Sequence, residues 1–196
     1  MFLTYQLVLC SSSPRRQDIL QKSGYHFLLD SPKISEILDK NINIDVALQK
    51  VAGQKARASV YATRLDRPYL IVGSDTIVFF NNTVFGKPKN EQEAYETLKL
   101  LSGNTHEVKT AFSILNVSLN ETVFHTETTK VTFKTLSDSV ITNYIKTKEP
   151  IDKAGAYGFQ DKGRSLVASI LGEENNIIGF PLKAFQKILK EKNWQC

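Results

Sequence analysis

The chain has 196 residues, enough to bury a substantial core and few enough for one domain spanning 1–196. With 41% hydrophobic and 23% charged residues it reads as a soluble globular protein, and no apolar run approaches the ~20 residues that span a bilayer, so a membrane span is excluded. Lys and Arg outnumber Asp and Glu by 25 to 20, a net charge of +5 that suits phosphate-bearing ligands; the basic residues are scattered, which does not favour nucleic acid as the partner.

The two cysteines, Cys10 and Cys196, give neither a disulfide framework nor a CxxC metal motif, so a reducing, cytoplasmic setting is expected. The opening stretch MFLTYQLVLC lacks the basic start of an export signal and the small residue before Cys10. It is read instead as a buried strand, with Gln6 to Cys10 as its apolar part. Pro14 to Ser23 follows as a helix, with Ser13 at the N-cap, Pro14 at the first helical position and Gly24 just past the end. Ser31 to Asn43 reads as loop carrying Glu36 and Asp39, and the spacing of Val46, Leu48, Val51, Ala52, Lys55 and Ala56 predicts a helix from about Asp45 to Thr63.

Tyr69 to Phe80 is a nearly continuous apolar strand interrupted by Gly73, Ser74, Asp75 and Thr76, and Asn81-Asn82 can turn it back into Thr83 to Phe85. Asn90 with Glu93 resembles a capping box opening a helix through Leu101. Glu107 to Leu115 and Thr122 to Leu136 read as an antiparallel pair, and Ser137 caps a short helix. The polar, glycine-containing segment EPIDKAGAYGFQDKG then reads as a functional loop. Leu166 to Leu171 and Asn176 to Ile178 look like strands, and a final helix carries Phe185, Ile188 and Leu189 on its apolar face. Helices alternating with strands, some of them hairpins, predict an α/β fold with a mixed sheet.

Chemistry concentrates in four places. In CSSSPRR a strand ends where a helix begins, so the unpaired N–H groups of the first turn, the macrodipole, the hydroxyls and the guanidiniums of Arg15 and Arg16 can hold a phosphate; equally, Ser13 can be a simple cap and the arginines solvated. Asp75, a carboxylate inside an apolar run, needs a solvated edge or a charged partner, and could be a general base, a metal ligand or a structural acid bonded to a turn. Lys87 lies between Gly86 and Pro88, a weak signal alone. The loop from Glu149 to Gln160 gathers two acids, Lys153 and an amide among small residues that allow a ligand close, and Gln160 can read a base edge with its paired donor and acceptor. His26, His106 and His125 show no ligand spacing and read as structural.

Together these stretches resemble the Maf family of nucleoside triphosphate pyrophosphatases, also called septum-formation proteins. The likeness runs through LCSSSPRRQDIL at 9–20, KARA at 55–58, GSDTIV at 73–78, GKP at 86–88, LSGNTHEVKTAF at 101–112, EPIDKAGAYGFQ at 149–160 and ILGEENNIIGFPL at 170–182. It implies a single α/β domain with an elongated mixed sheet flanked by helices, two lobes around a cleft, and kinship with inosine triphosphate pyrophosphatases. It also implies hydrolysis of a nucleoside triphosphate to monophosphate and pyrophosphate with Mg²⁺ or Mn²⁺, in a nucleotide house-cleaning role linked to cell-division arrest. Asp75 matches the motif aspartate, the general base and a metal ligand; Ser11, Arg15 and Arg16 match the phosphate-facing loop; Lys55 and Lys87 match the cleft lysines; Glu36 matches an upstream acid at the metal.

SPRR, Asp75-Thr76 and Gly158 to Gln160 are similar to the members selective for dTTP and UTP, so Thr76 and Gln160 are expected to read the base, with Lys153 also on the substrate. A homodimer is implied by the resemblance alone. Ser74, Asp161 and Phe180 depart from the family's usual Ala, Gly and Leu. A pyrophosphatase of 7-methyl-GTP or another modified purine nucleotide is the rival within the class, and a non-catalytic protein binding DNA or a division partner is the rival outside it; Asp75 within its strand argues against the latter.

Overall fold

The computed structural model describes residues 4–196, so the first three residues of the N-terminal strand reading lie outside the described part. The apolar run emerges as β1 (Gln6–Cys10), which pairs in parallel with β2 (Phe27–Asp30) and with β3 (Tyr69–Phe80). Between β1 and β2 runs α1 (Pro14–Lys22), begun by a proline whose fixed φ suits the first helical turn and ended before Gly24, whose φ is +84°. β2 has no counterpart in the sequence pattern, because a strand of four residues at a sheet edge is defined by its pairing with β1 and not by alternation.

Asn43 caps α2 (Ile44–Arg57) by accepting from the Asp45 N–H at 2.9 Å. The helix stops at Arg57 instead of continuing to Thr63. There the Asp30 carboxylate accepts from the Ser59 hydroxyl at 2.7 Å and from the Val60 N–H at 2.9 Å, which draws the chain off the helical path. Asn81 and Asn82 adopt φ of 49° and 58°, the left-handed pair a two-residue hairpin needs, and lead into β4 (Thr83–Phe85) antiparallel to β3. The Asn90 side chain accepts from the Glu93 N–H at 2.9 Å to start α3 (Glu91–Leu101), while Glu93 reaches back to the Lys89 N–H at 2.8 Å.

β5 (Thr105–Asn116) and β6 (Glu121–Phe133) meet through Thr105 with Thr132, Lys109 with Thr128 and Phe112 with His125, a reversed order that makes them antiparallel as expected. Ser137 caps α4 (Asp138–Ile145) through the Val140 N–H. Short 3₁₀ turns occupy 149–166, and β7 (Val167–Leu171) pairs antiparallel with β6. The expected strand at Asn176–Ile178 is helical, part of α5 (Glu174–Ile178). Gly172 takes a φ of +134° and breaks the extended path, and Asn176 turns inward to donate to the Val108 carbonyl and the Thr129 hydroxyl, each at 3.0 Å. α6 (Leu182–Glu191) closes the chain with Phe185 and Leu189 buried. The result is a seven-stranded mixed sheet in the order β2-β1-β3-β5-β6-β7, with β4 on β3, as the alternation of elements implies.

The described residues form two compact units. The first comprises those up to Asp75 with Thr110–Glu127 and Gly179–Cys196; the second comprises Thr76–Lys109 and Thr128–Ile178. In the first, Val8, Cys10, Ile71 and Leu115 pack together, and Phe180 lies tilted against Phe112 at 5.7 Å and edge-to-face with Phe185 at 5.2 Å. Phe180 is fully buried, so its ring fills an aromatic cluster worth roughly 1.5–3 kcal/mol for each ring removed from water. In the second, Leu98, Val131, Phe133, Tyr144, Tyr157 and Phe159 share one core. His106 belongs to that core: its Nε2 lies 2.8 Å from the Tyr157 hydroxyl, and burial lowers its pKa to about 4, so it is a neutral packing residue. No helix among the described residues is long and apolar enough to cross a membrane.

Candidate active site

The loop between β1 and α1 is organised by one hydroxyl. Ser11 Oγ accepts from the Ser13 N–H at 3.2 Å and from Arg16 NH1 at 3.1 Å. Both lone pairs are then engaged, which leaves the hydroxyl proton to be donated to an anion. Arg16 is buried, and its Nε donates to the Gly179 carbonyl at 2.8 Å, so two bonds in different directions fix the plane of the guanidinium. Ser13 occupies the N-cap of α1, but its side chain makes no capping bond, contrary to the simple-cap reading, and the first turn carries no acid to offset the positive end of the helix. Arg15 is half-buried beside it.

The second cluster of the same unit centres on Lys55, in the last turn of α2. Its ammonium contacts Asp75 Oδ1 at 2.9 Å, Glu36 Oε1 at 3.0 Å and the Ser74 carbonyl at 3.2 Å. The Lys55 and Asp75 side chains are only 10% and 16% exposed, whereas Glu36 is 56% exposed on its irregular segment. Burial lowers the pKa of Arg16, the negative charges of Asp75 and Glu36 act against that fall, and Arg15 adds to it. The guanidinium thus feels both carboxylates, so the two clusters form one electrostatic system. The structure brings together Ser11, Arg16, Glu36, Lys55 and Asp75, which are far apart in the sequence.

The remaining candidates belong to the second unit. Thr76 follows Asp75 in β3 and is half-buried; Lys87 is exposed; Gln160 and Asp161 are exposed. Lys153 is buried and paired with Asp152. The Gly155 N–H donates to the Gly86 carbonyl at 3.1 Å, which ties the GKP turn to the 149–160 segment. That segment is no solvated loop: Gly155 to Phe159 are all buried. Glu149 organises it, accepting from the Tyr144 hydroxyl at 2.8 Å, the Gly163 N–H at 3.2 Å and, through its other oxygen, the Lys162 N–H at 3.1 Å.

Three further residues that shape these clusters carry weaker sequence signals. The Gly179 carbonyl fixes Arg16, and only the family-like stretch ILGEENNIIGFPL pointed there. Ser74 contributes a backbone oxygen, which side-chain chemistry cannot reveal. Gly73 permits a close helix approach, signalled by a glycine in mid-strand.

Comparison with known proteins proceeds from fold to family. The Ham1 protein of Staphylococcus aureus superposes with a TM-score of 0.51 at 15% identity, covering 95% of this chain and 99% of that one, which places the chain among α/β proteins of that fold and bears out the expected fold class. The family model described as Maf-like protein matches residues 6–192, and the chain belongs to the Maf family. Proteins named dTTP/UTP pyrophosphatase are 40% identical to it in Bdellovibrio bacteriovorus, over 94% of this chain and 97% of the relative, and in Alkaliphilus oremlandii, over 94% and 95%. A protein of the same name in Acetivibrio thermocellus is 40% identical over 95% of this chain and 94% of its own.

Proposed function

We propose that the chain hydrolyses dTTP and UTP to the nucleoside monophosphate and pyrophosphate. It is a hydrolase acting on the bond between the α- and β-phosphates. The observation that carries the reading is the Lys55 ammonium joined to both Asp75 and Glu36, in a family whose similar members bear the name dTTP/UTP pyrophosphatase. Ser11, Arg15 and Arg16 receive the triphosphate at the positive start of α1, with Lys87 and Lys153 adding charge. Asp75 orients the attacking water and takes its proton, and Lys55 neutralises charge that develops as pyrophosphate leaves. Thr76 and Gln160 read the pyrimidine.

Two carboxylates within reach of one cation suit a divalent ion such as Mg²⁺ or Mn²⁺, which accepts one or two carboxylates and takes its other ligands from water and phosphate. Glu36 and Asp75 would hold it, and when bound it supplies Lewis-acid charge neutralisation on the phosphate oxygens. The reading extends to the chain 1–196 acting as one Maf-like domain, to a cytoplasmic setting, to a homodimer, and to a house-cleaning role linked to cell-division arrest; neither membrane nor nucleic acid is its partner. Pyrophosphate release from dTTP, UTP and 7-methyl-GTP, each with Mg²⁺ and with Mn²⁺, tests it. The expected result is metal-dependent turnover of dTTP and UTP well above that of 7-methyl-GTP; turnover of 7-methyl-GTP alone, or of none, would overturn it.

A further inference from the structure

We propose that Gly73 is a positioning residue that sets the reach of Lys55 to Asp75. A Cβ added at Gly73 would lie 2.1 Å from the Ala52 carbonyl oxygen, 2.8 Å from the Ala56 nitrogen and 3.0 Å from Lys55 Cβ. Two of these neighbours are backbone atoms of α2, which no rotamer change can move aside. The helix therefore lies directly on the strand because position 73 has no side chain. The same Ala52 oxygen is held independently by the buried Ser113 hydroxyl, which donates to it at 2.9 Å. Ala52 and Ala56, both fully buried, complete a helix face that leaves no slack.

Lys55 leaves α2 between these two alanines, and Asp75 stands two residues along β3 from Gly73. The Lys55 to Asp75 separation of 2.9 Å thus depends on how deeply α2 is seated. An alanine at 73 lifts the helix and carries the ammonium with it. Misplacement of a charged group by about 1 Å can cost on the order of 10²-fold in rate.

The inference rests on the role proposed for Lys55, and a double-mutant cycle separates the two. Gly73→Ala is expected to lower kcat for dTTP about 10- to 100-fold, with a much smaller change in KM. Added to Lys55→Met, itself expected to lose on the order of 100-fold, it should cost almost nothing more, because the group it displaces is gone. Gly53→Ala is the control: it adds the same methyl to the same helix, but that methyl meets only the ring edge of the partly exposed Phe124, at 2.8 Å, and should leave kcat unchanged. If Gly73→Ala does not fold, Ser113→Ala loosens the same seat and should give a several-fold loss of kcat that also vanishes in the Lys55→Met background.

Equal losses from Gly73→Ala in both backgrounds, or a native kcat, would overturn the positioning role while leaving the proposed chemistry intact. A native rate in Lys55→Met would instead overturn the role given to Lys55, and this inference with it.

Discussion

In the first unit, Asp75 and Glu36 face a lysine ammonium; in the second, Glu149 faces two backbone N–H groups and a tyrosine hydroxyl. The first arrangement is an ion cluster whose members can exchange partners when a polyanion or a cation arrives. The second is a closed set of hydrogen bonds in which each donor would otherwise be left without its acceptor. On the proposed function, carboxylates thus serve reactivity in one unit and architecture in the other, and what separates them is whether the partner is a side-chain charge or the fixed backbone. The arginines divide similarly: Arg16 is buried and clamped by Ser11 and Gly179, whereas Arg164 lies half exposed over the Phe159 ring at 4.3 Å.

If the contrast is sound, Arg16→Lys should produce a large functional loss. A lysine has no planar fork with which to bond the Ser11 hydroxyl and the Gly179 carbonyl together, and KM for dTTP should rise roughly 10- to 100-fold in steady-state assays. In the second unit, Glu149→Ala should instead reduce stability, by about 2–4 kcal/mol in denaturant titrations, since it strips the acceptor from the Lys162 and Gly163 N–H groups and from Tyr144. An unchanged denaturation midpoint would place Glu149 with the reactive acids after all. The smallest effect is expected at Ser74, whose buried Oγ has no hydrogen-bond partner among the described residues. Ser74→Ala should stabilise the protein by up to about 1 kcal/mol, seen as a higher melting temperature with activity retained; a clear loss of stability would reveal a bond to that hydroxyl.

Local signals made much of the fold legible. Pro14, Asn90 with Glu93, and Asn81-Asn82 specify a helix start, a cap and a hairpin with residues only a few positions apart, and each appears as read. β2 escaped because its definition lies in β1, and α2 was overextended because the bonds that end it come from Asp30. The same distinction governs the site. Asp75 stood out because a carboxylate inside an apolar strand needs a partner, and Ser11 and Arg16 because they lie where a strand runs into a helix start; Lys55 was marked only by the family resemblance. The packing of the 149–160 segment did not, since its polar appearance hides residues whose partners lie in α4 and beyond. The depth of α2 on Gly73 is likewise a contact between elements, invisible to any window of sequence.

The central claim is that Asp75, held by Lys55, activates water for pyrophosphate release, and Asp75→Asn addresses it most directly. The substitution keeps the shape and removes the proton acceptor. Pyrophosphate release from dTTP, measured with saturating metal, should fall at least about 100-fold, and release at the native rate would contradict the account.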